Sequence, residues 1–216
     1  AKAVFDGLLS SHPDPKTLLD ALSKAANEGR LMYAPGVKEQ AALLAGTPVG
    51  GTMPTDNATS TDLGVYLDDI TEGKLDYYMR MSIAAKSTQC QADASPTFTS
   101  TVTLKNTLDP GAVAGLPVYI APGRFFAKGD VSTDMYLYGP VGSTLTGVTV
   151  NGQPYASAGM PHLGRTAVKV NVLTHPGEAV TIEATFTAPA GSFGPLEVRH
   201  TPMVAETPVT IDAPGC

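Results

Sequence analysis

The arrangement of apolar residues changes along the chain from helical spacing to strict alternation. After residue 96, apolar and polar positions alternate in one segment after another, as in β-strands that bury a single face. In TFTSTVTLK, TAVKVNV and HPGEAVTIEATFTAP the predicted inward residues are Phe98, Ser100, Val102 and Leu104, then Val168, Val170 and Val172, then Val180, Ile182, Ala184 and Phe186. This pattern predicts a body of packed β-sheets.

Turn signals separate the predicted strands. Val148 and Val150 lead into Asn151-Gly152, a dipeptide that favours a two-residue hairpin. The candidate segments number roughly eight to ten, at the spacing of a two-sheet sandwich. We therefore predict a mainly β fold, an immunoglobulin-like antiparallel β-sandwich preceded by a small α-helical segment.

The helical segment has recognisable start and stop signals. Asp14 is placed as an N-cap before Pro15, and Gly29 suits the end of the same helix. Leu18, Leu19, Leu22, Ala25 and Ala26 recur at helical spacing, and we predict that this stripe packs into a core. VKEQAALLAG predicts a further short helix.

Low-charge, turn-forming residues follow the helices and predict a linker. The linker contains Asn57-Ala58-Thr59, which has the form of a glycosylation sequon, although such triplets also arise by chance. The predicted organisation is a helical segment at residues 1–50, the end of a larger N-terminal region, then a linker at 51–62 and a sandwich at 63–216.

Composition and charge exclude some classes of function. There are 22 Gly and 18 Pro, while only 16% of residues are charged, which agrees with many turns and few solvated helices. The formal net charge is −6 and no run of Lys or Arg interrupts it, which argues against nucleic-acid binding. No apolar run reaches the roughly 20 residues of a membrane helix. The first ten residues, AKAVFDGLLS, lack the basic region and apolar core that we expect of a signal peptide.

The two cysteines, Cys90 and Cys216, predict a disulfide. Neither belongs to a CxxC motif or a Cys/His cluster, so a metal or redox site has no support. A bond between them would tie the last strand to the body, contributing about 5 kcal/mol in the chain-entropy model. It would require an oxidising compartment, and therefore a secreted or envelope-exposed protein. Two free thiols in a cytosolic protein are the alternative.

Four acidic residues lie close together in YLDDITEGKLDYY: Asp68, Asp69, Glu72 and Asp76. Converging carboxylates suit a hard cation such as calcium, but their spacing does not match a helix–loop–helix calcium loop. The segment DITEGK instead predicts a solvated turn of a hairpin between GVYL and LDYYMRMSIA. We assign no metal site and keep these four residues as cation candidates.

The chain has no recognisable catalytic motif. It lacks G-x-S-x-G, a P-loop and a dinucleotide fingerprint, and its four histidines are scattered. A catalytic triad assembles in space, so sequence alone leaves that alternative open. Paired aromatic residues could stack on sugar rings or could be half-buried strand residues: Tyr77 and Tyr78, Tyr136 and Tyr138, and Phe125 and Phe126.

LGVYLDDITEGKLDYYM, from Leu63 to Met79, resembles part of an uncharacterised envelope-protein family of high-GC Gram-positive bacteria, domain of unknown function four-zero-one-two. The matching residues are Gly64, Val65, Tyr66, Leu67, Asp69, Lys74, Asp76, Tyr77, Tyr78 and Met79, with Asp68 where Asn is commoner. EQAALLAGTPVGGTMP, LYGPVGSTLTGVTVNGQP, GPLEVRHTPMV and VTIDAPGC extend the similarity over nearly the whole chain.

The resemblance implies a location outside the cytoplasmic membrane, with a membrane helix in a part of the protein absent from this chain. Such proteins are often encoded near surface-polysaccharide genes. We therefore predict an extracytoplasmic structural or recognition module that acts in surface-glycopolymer assembly. Its expected partners are a cell-wall glycopolymer or another envelope protein, with no nucleic acid, no cofactor and no assigned catalytic residue.

Two alternatives belong to other classes of function. One is an envelope glycan-modifying enzyme that uses the acidic cluster, which would require paired carboxylates in a cleft. The other is a protein–protein interaction module, which would require a contiguous exposed apolar patch.

Overall fold

The computed structural model describes residues 2–88 and 95–213, and the chain forms two compact units, Ala1–Met53 and Pro54–Cys216. Cys90 and Cys216 lie outside the described residues, so the disulfide stays a prediction. None of the helices in the described part of the chain has the length and hydropathy of a membrane-spanning segment.

The first unit is helical, as predicted. Its helices are α1 (Lys2–Ser11), α2 (Pro15–Asn27) and α3 (Lys38–Leu44), followed by a 3₁₀ turn at Pro48–Gly50. The Asp14 side chain accepts a hydrogen bond from the Thr17 amide at 2.9 Å, which satisfies a free N–H of the first turn. Gly29 ends the helix with a φ of 67°, a conformation that glycine adopts without strain.

The prediction of a packed α2 stripe was wrong. Leu19 is 63% exposed and Leu22 is 41% exposed, and Ala26 is the buried residue of this helix. Among the described side chains of the first unit, Ala26 is the only apolar one that is buried. Helical spacing aligns apolar side chains on one face, but burial requires a second apolar surface against that face, which these short helices do not supply to each other.

The second unit is mainly β. Its strands are β1 (Thr61–Asp69), β2 (Met79–Ser87), β3 (Thr97–Asn106), β4 (Val131–Val141), β5 (Thr144–Val150), β6 (Gln153–Pro154), β7 (Met160–His162), β8 (Arg165–Thr174), β9 (Ala179–Thr187), β10 (Leu196–His200) and β11 (Val209–Asp212). Short 3₁₀ helices lie at Leu75–Tyr78 and Pro110–Gly115.

The strands form two sheets. The first sheet has the order β10-β1-β4-β8-β7 and the second has the order β11-β2-β3-β9-β5-β6. We predicted purely antiparallel sheets, but both sheets are mixed. In the first sheet β10 runs parallel to β1, and in the second β11 runs parallel to β2. The last two strands of the chain, β10 and β11, each lie at the edge of a sheet. A parallel pair requires a long connection between its two strands, and both of these strands are far along the chain from their partners.

The predicted inward residues do form the core. Phe98, Val102 and Leu104 of β3 are fully buried, as are Ile182 and Phe186 of β9. They belong to one hydrophobic cluster with residues of the first sheet: Leu63, Val65, Met135, Leu137, Val168 and Val170. The inner faces of the two sheets therefore share a single core, as the alternation predicted.

The predicted Asn151-Gly152 hairpin turn is present. Both residues have positive φ, 51° and 75°, and Val150 pairs with Gln153 across the turn. A two-residue turn with two positive φ values matches the twist of the flanking strands, which is why Asn-Gly is favoured there.

The predicted hairpin around DITEGK was wrong. Although β1 and β2 are consecutive, β1 belongs to the first sheet and β2 to the second, so residues 70–78 cross between the sheets. Tyr77 and Tyr78 lie in the 3₁₀ helix and not in a strand. Leu75 and Met79 are buried in the core that the two sheets share. Burial of these apolar side chains stabilises the path of the connection from one sheet to the other.

Residues of the predicted linker take part in the fold of the second unit. The Asn57 side chain donates to the Val141 carbonyl at 3.0 Å and accepts from the Val141 amide at 3.1 Å. Asn57 therefore uses its amide group as part of the tertiary structure. The first strand begins at Thr61, inside the predicted linker of residues 51–62, and Asp62 is completely buried.

Candidate functional site on the outer face of the first sheet

The four predicted cation candidates do not converge. Asp68 is exposed on β1, and Asp69 accepts a hydrogen bond from the Thr71 amide at 2.7 Å. Asp76 contacts Asp69, whereas Glu72 faces a separate pocket. Among residues 2–88 and 95–213, no group of three or more His, Cys, Asp or Glu side chains is placed to hold a metal ion.

Asp69 and Asp76 form a carboxyl pair. Partial burial raises the pKa of Asp76, and the neighbouring Asp69 raises it further through its charge and a shared hydrogen bond. A raised pKa is expected where two carboxyl groups compete for one proton. Asp69 is the last residue of β1, and Asp76 lies on the connection between β1 and β2.

A small pocket beside this connection does not contain the pair. The pocket is partly open to solvent, its acidic lining residues are Glu72 and Asp130, and its volume of about 10 Å³ is roughly what one water requires. Asp130 is buried and lies 2.8 Å from Nδ1 of His175, and this hydrogen bond raises the pKa of His175. The Asp69–Asp76 pair therefore does not line this pocket.

Three tyrosines lie together on the outer face of the first sheet. Tyr66 of β1 is directly opposite Tyr136 of β4, and Tyr138 is opposite Gly64. The rings of Tyr66 and Tyr138 meet edge to face, with centroids 5.6 Å apart and planes at 83°. All three tyrosines are half-buried, and burial raises the pKa of Tyr66 and of Tyr138. We call Tyr66, Tyr136 and Tyr138 the tyrosine face.

Charged and amide groups border one end of the tyrosine face. Asp68 and Asp134 are direct cross-strand neighbours, an unfavourable pairing of like charges. Lys169 of β8 forms an ion pair with Asp134, and its ammonium group lies 5.9 Å from the centre of the Tyr136 ring. The Asn171 amide donates to Asp134 at 2.9 Å. The Lys169 ammonium group thus offsets part of the negative charge of Asp68 and Asp134.

The pKa shifts of Asp134 and Lys169 agree with an ion pair between them. Burial alone would raise the pKa of Asp134, but hydrogen bonds from Lys169 and Asn171 outweigh it and lower the pKa. The same hydrogen bond raises the pKa of Lys169, and the charge of Asp68 adds to the effect. Both groups are therefore held in their charged forms at neutral pH.

The other end of the tyrosine face is basic. The Tyr138 hydroxyl lies 3.0 Å from Nδ1 of His162 on β7. The Arg199 Nε group of β10 is paired with the buried carboxylate of Asp62. Arg165 of β8 is 3% exposed, and burial lowers its pKa although the charge of Asp62 opposes this.

The Arg165 guanidinium is bound by main-chain carbonyl oxygens. Nη1 donates to the Asp62 carbonyl at 2.8 Å and to the Gly139 carbonyl at 3.1 Å. Nη2 donates to the Pro54 carbonyl at 2.7 Å. Nε has no hydrogen-bond partner among the described residues. These bonds connect the segment that precedes β1 to the first sheet.

The sequence indicated only part of this site. Tyr136 and Tyr138 were candidates for sugar stacking, and the structure places both on the face. Tyr66 and the two arginines were missed, although alternation along β1 would have placed Tyr66 outward. The other aromatic candidates lie elsewhere: Tyr77 and Tyr78 on the connection between β1 and β2, and Phe125 and Phe126 in the loop before β4.

Comparison with known proteins does not assign a family. No protein-family model matches the chain, and no curated protein matches it. Among solved structures, a Legionella pneumophila protein described as a "putative nutrient binding protein" is 14% identical, with a TM-score of 0.35. The similarity covers 61% of this chain and 44% of that protein, so it spans less than half of the latter.

Proposed function

We propose that this chain is a non-catalytic recognition module of a cell-envelope protein, with an immunoglobulin-like β-sandwich that binds a surface glycopolymer outside the cytoplasmic membrane. The observation that carries the proposal is the tyrosine face, in which Tyr66, Tyr136 and Tyr138 lie side by side on one sheet. The resemblance of Leu63–Met79 to an envelope-protein family supports the location, and the predicted Cys90–Cys216 bond would suit it.

The chemistry of the face suits a sugar chain. Half-exposed phenol rings offer apolar surface for stacking and a hydroxyl group for hydrogen bonding. The exposed side chains of Asp68, Lys169 and Asn171 supply acceptors and donors beside the rings. A polymer lying along the sheet could contact several of these groups at once without entering a deep pocket.

Binding to purified cell-wall polymers tests the proposal. Tyr136→Ala should weaken retention on an immobilised glycopolymer about tenfold, the cost of losing one stacked ring. Tyr77→Ala is the matched control, because Tyr77 is exposed on the connection between β1 and β2 and not on the face. Binding that is absent from the wild-type protein, or that falls equally in both variants, would contradict the proposal.

A second candidate function, a protein–protein interaction module, has its own supporting observation. Five large apolar side chains are exposed on two connections at one end of the body: Ile70, Tyr77, Val118, Tyr119 and Phe125. Phe125 is 80% exposed, and the connections are joined by a hydrogen bond from the Lys74 amide to the Ile120 carbonyl at 2.9 Å. Large apolar side chains exposed on neighbouring connections support this candidate, because a contiguous apolar patch often contacts another protein.

Site-specific crosslinking separates the two candidates. A photoreactive residue in place of Phe125 should form a discrete crosslinked product with one envelope protein, and Val118→Ser should abolish that product. The same reactive residue in place of Thr101, on the outer face of the second sheet, is the control. Equal crosslinking from both positions would remove support for the contact module.

A further inference from the structure

We infer that the acidic end of the tyrosine face binds a protonated amino group, so that the preferred ligand is a glycopolymer that carries free amino groups. The inference rests on the proposed function and adds the chemical class of the ligand. The amino group would lie beside the exposed carboxylate of Asp68 and against the ring of Tyr66, the neighbouring outward residue of β1.

The first observation is that this face already binds one ammonium group, which belongs to the protein itself. Asp134 and Tyr136 are successive outward residues of β4, and Nζ of Lys169 lies 2.5 Å from Oδ2 of Asp134 and 5.9 Å from the centre of the Tyr136 ring. The carboxylate accepts a charge-assisted hydrogen bond, and the face of the ring attracts the cation. A carboxylate beside a tyrosine is therefore an ammonium site on this sheet.

The second observation is that β1 presents the same two groups. The antiparallel register places Tyr66 opposite Tyr136 and Asp68 opposite Asp134. Asp134 receives the Lys169 ammonium group and the Asn171 amide from β8, which lies on its other side. Asp68 forms no ion pair or hydrogen bond with the residues that the structure describes. The site on β4 is filled from within the protein, and the site on β1 is left for a ligand.

The third observation is the balance of charge at this end. Asp68 and Asp134 carry two negative charges directly opposite each other, an unfavourable arrangement. The charge of Lys169 acts on both carboxylates, but its hydrogen bond goes to Asp134. Two carboxylates and one ammonium group leave a surplus of one negative charge, which the ammonium group of a ligand would balance.

The fourth observation is access. Asp68 is exposed, and the ladder between β1 and β10 covers only Thr61–Val65, so the pairing with β10 ends before the level of Asp68. Arg199, a cation of the basic end, is opposite Gly64 at the other end of the face. A sugar chain lying across the tyrosines could therefore place an amino group at Asp68, away from the cations of the basic end.

Oligomers that differ only at nitrogen test the inference on the full chain. The probes are a glucosamine oligomer and the same oligomer fully N-acetylated, compared at a mildly acidic pH at which the free amino groups are protonated. The glucosamine oligomer should bind about fivefold more tightly, as one additional exposed ion pair allows. The difference should shrink as salt rises, because both charges are exposed.

The test variants change one exposed charge. Asp68→Asn should remove the preference and leave the affinity for the N-acetylated oligomer unchanged, whereas Asp68→Glu keeps the charge and should keep the preference. Glu183→Gln is the matched control, because it removes the same charge from an exposed position of β9 in the other sheet. Asp68→Asn should fold, since the position is exposed and the two side chains have nearly the same shape, and circular dichroism verifies this for each variant.

Purified cell-wall polymer identifies the source of the amino group, which is an amino sugar or an ester-linked amino acid. Acetylation of the free amino groups of the polymer should lower its retention about fivefold, by the loss of the same ion pair. Mild alkali removes ester-linked amino acids and leaves amino sugars. Retention that falls after alkali assigns the amino group to an ester-linked amino acid, and retention that persists assigns it to an amino sugar.

The outcomes distinguish the inference from the function on which it rests. Equal affinity for the two oligomers, with retention of the cell-wall polymer unchanged by acetylation, would overturn the inference and leave the proposed function in place. A preference that falls equally in Asp68→Asn and Glu183→Gln would indicate general attraction to an acidic protein and would also overturn it. Absence of binding to every glycopolymer would overturn both.

Discussion

Asp62 and Arg199 form an ion pair between residues 137 positions apart, and the Asp62 side chain has no contact with solvent. The bond joins β1 to its parallel neighbour β10, so it holds a late segment of the chain against the first strand of the sheet. The Asp62 carbonyl also accepts from Arg165 of β8. One residue thus connects three strands of the first sheet.

Replacing Asp62 should destabilise the protein. Asp62→Asn removes the buried carboxylate that accepts from Arg199 and whose charge acts on Arg165, and loss of one partner from a buried pair costs about 3 kcal/mol. Urea unfolding measures the change in the free energy of unfolding. Glu197→Gln, at the exposed neighbouring position, should change it by less than about 0.5 kcal/mol. Similar effects from the two substitutions would mean that the ion pair contributes little.

The His175–Asp130 pair should make stability depend on pH. The pKa of His175 is raised by its hydrogen bond to Asp130 above the ordinary value of 6.5. The stabilisation is therefore fully present below pH 6.5 and is lost as pH rises through the folded-state pKa. The difference in stability between wild type and His175→Gln should stay constant below pH 6.5 and shrink as pH rises above it. An NMR titration that places the His175 pKa at or below 6.5 would contradict this expectation.

Removing the charge of Asp76 should stabilise the protein at neutral pH. The pKa of Asp76 is raised from 3.8, so the wild-type protein loses stability as pH rises from 3.8 through the folded-state value. Asp76→Asn should therefore raise the free energy of unfolding at neutral pH by a few tenths of a kcal/mol, because the pair is partly exposed. The gain should disappear below pH 3.8.

Calcium provides the control for that interpretation. If Asp69 and Asp76 instead held a cation, added calcium would raise the melting temperature of the wild type, and Asp76→Asn would remove that increase. We expect no calcium-dependent shift, since the described residues place no third acidic or histidine ligand beside the pair. Glu72→Gln, on the same connection, should be close to wild type in both measurements.

Gly139 should not tolerate a side chain. A methyl group at this position of β4 would lie 2.5 Å from Cδ1 of the buried Phe186 ring and would also collide with Ser143. Gly139→Ala should cost about 1–3 kcal/mol through overpacking, measured by urea unfolding. Gly147→Ala is the matched control, because nothing lies within 4 Å of the added methyl group. Equal effects would show that the cost is not steric.

The predicted disulfide is directly testable. Cys90 and Cys216 should resist alkylation in native protein and give a linked peptide under non-reducing conditions. Reduction should lower stability by about 5 kcal/mol in the chain-entropy model, less any strain in the bond. If both thiols are alkylated without reduction, the prediction is wrong and the support for an oxidising compartment is lost.

Local structure followed the sequence closely. Alternation around Val102 and Ile182 predicted which side of each strand is buried, because side chains in a strand point to opposite faces in turn. Asp14 began its helix and Asn151-Gly152 formed its turn, since each depends on backbone groups only a few residues away.

The candidate site depended on the tertiary structure. Alternation places Tyr66 outward but does not say which strand lies next to it, because every outward face has the same pattern. The structure pairs β1 with β4 and not with the consecutive β2, which brings Tyr66 to Tyr138 and Asp68 to Asp134. The sequence by itself determined the buried and exposed faces of the strands. Strand pairing across long connections, stabilised by burial of the shared core, decided which outward residues became neighbours.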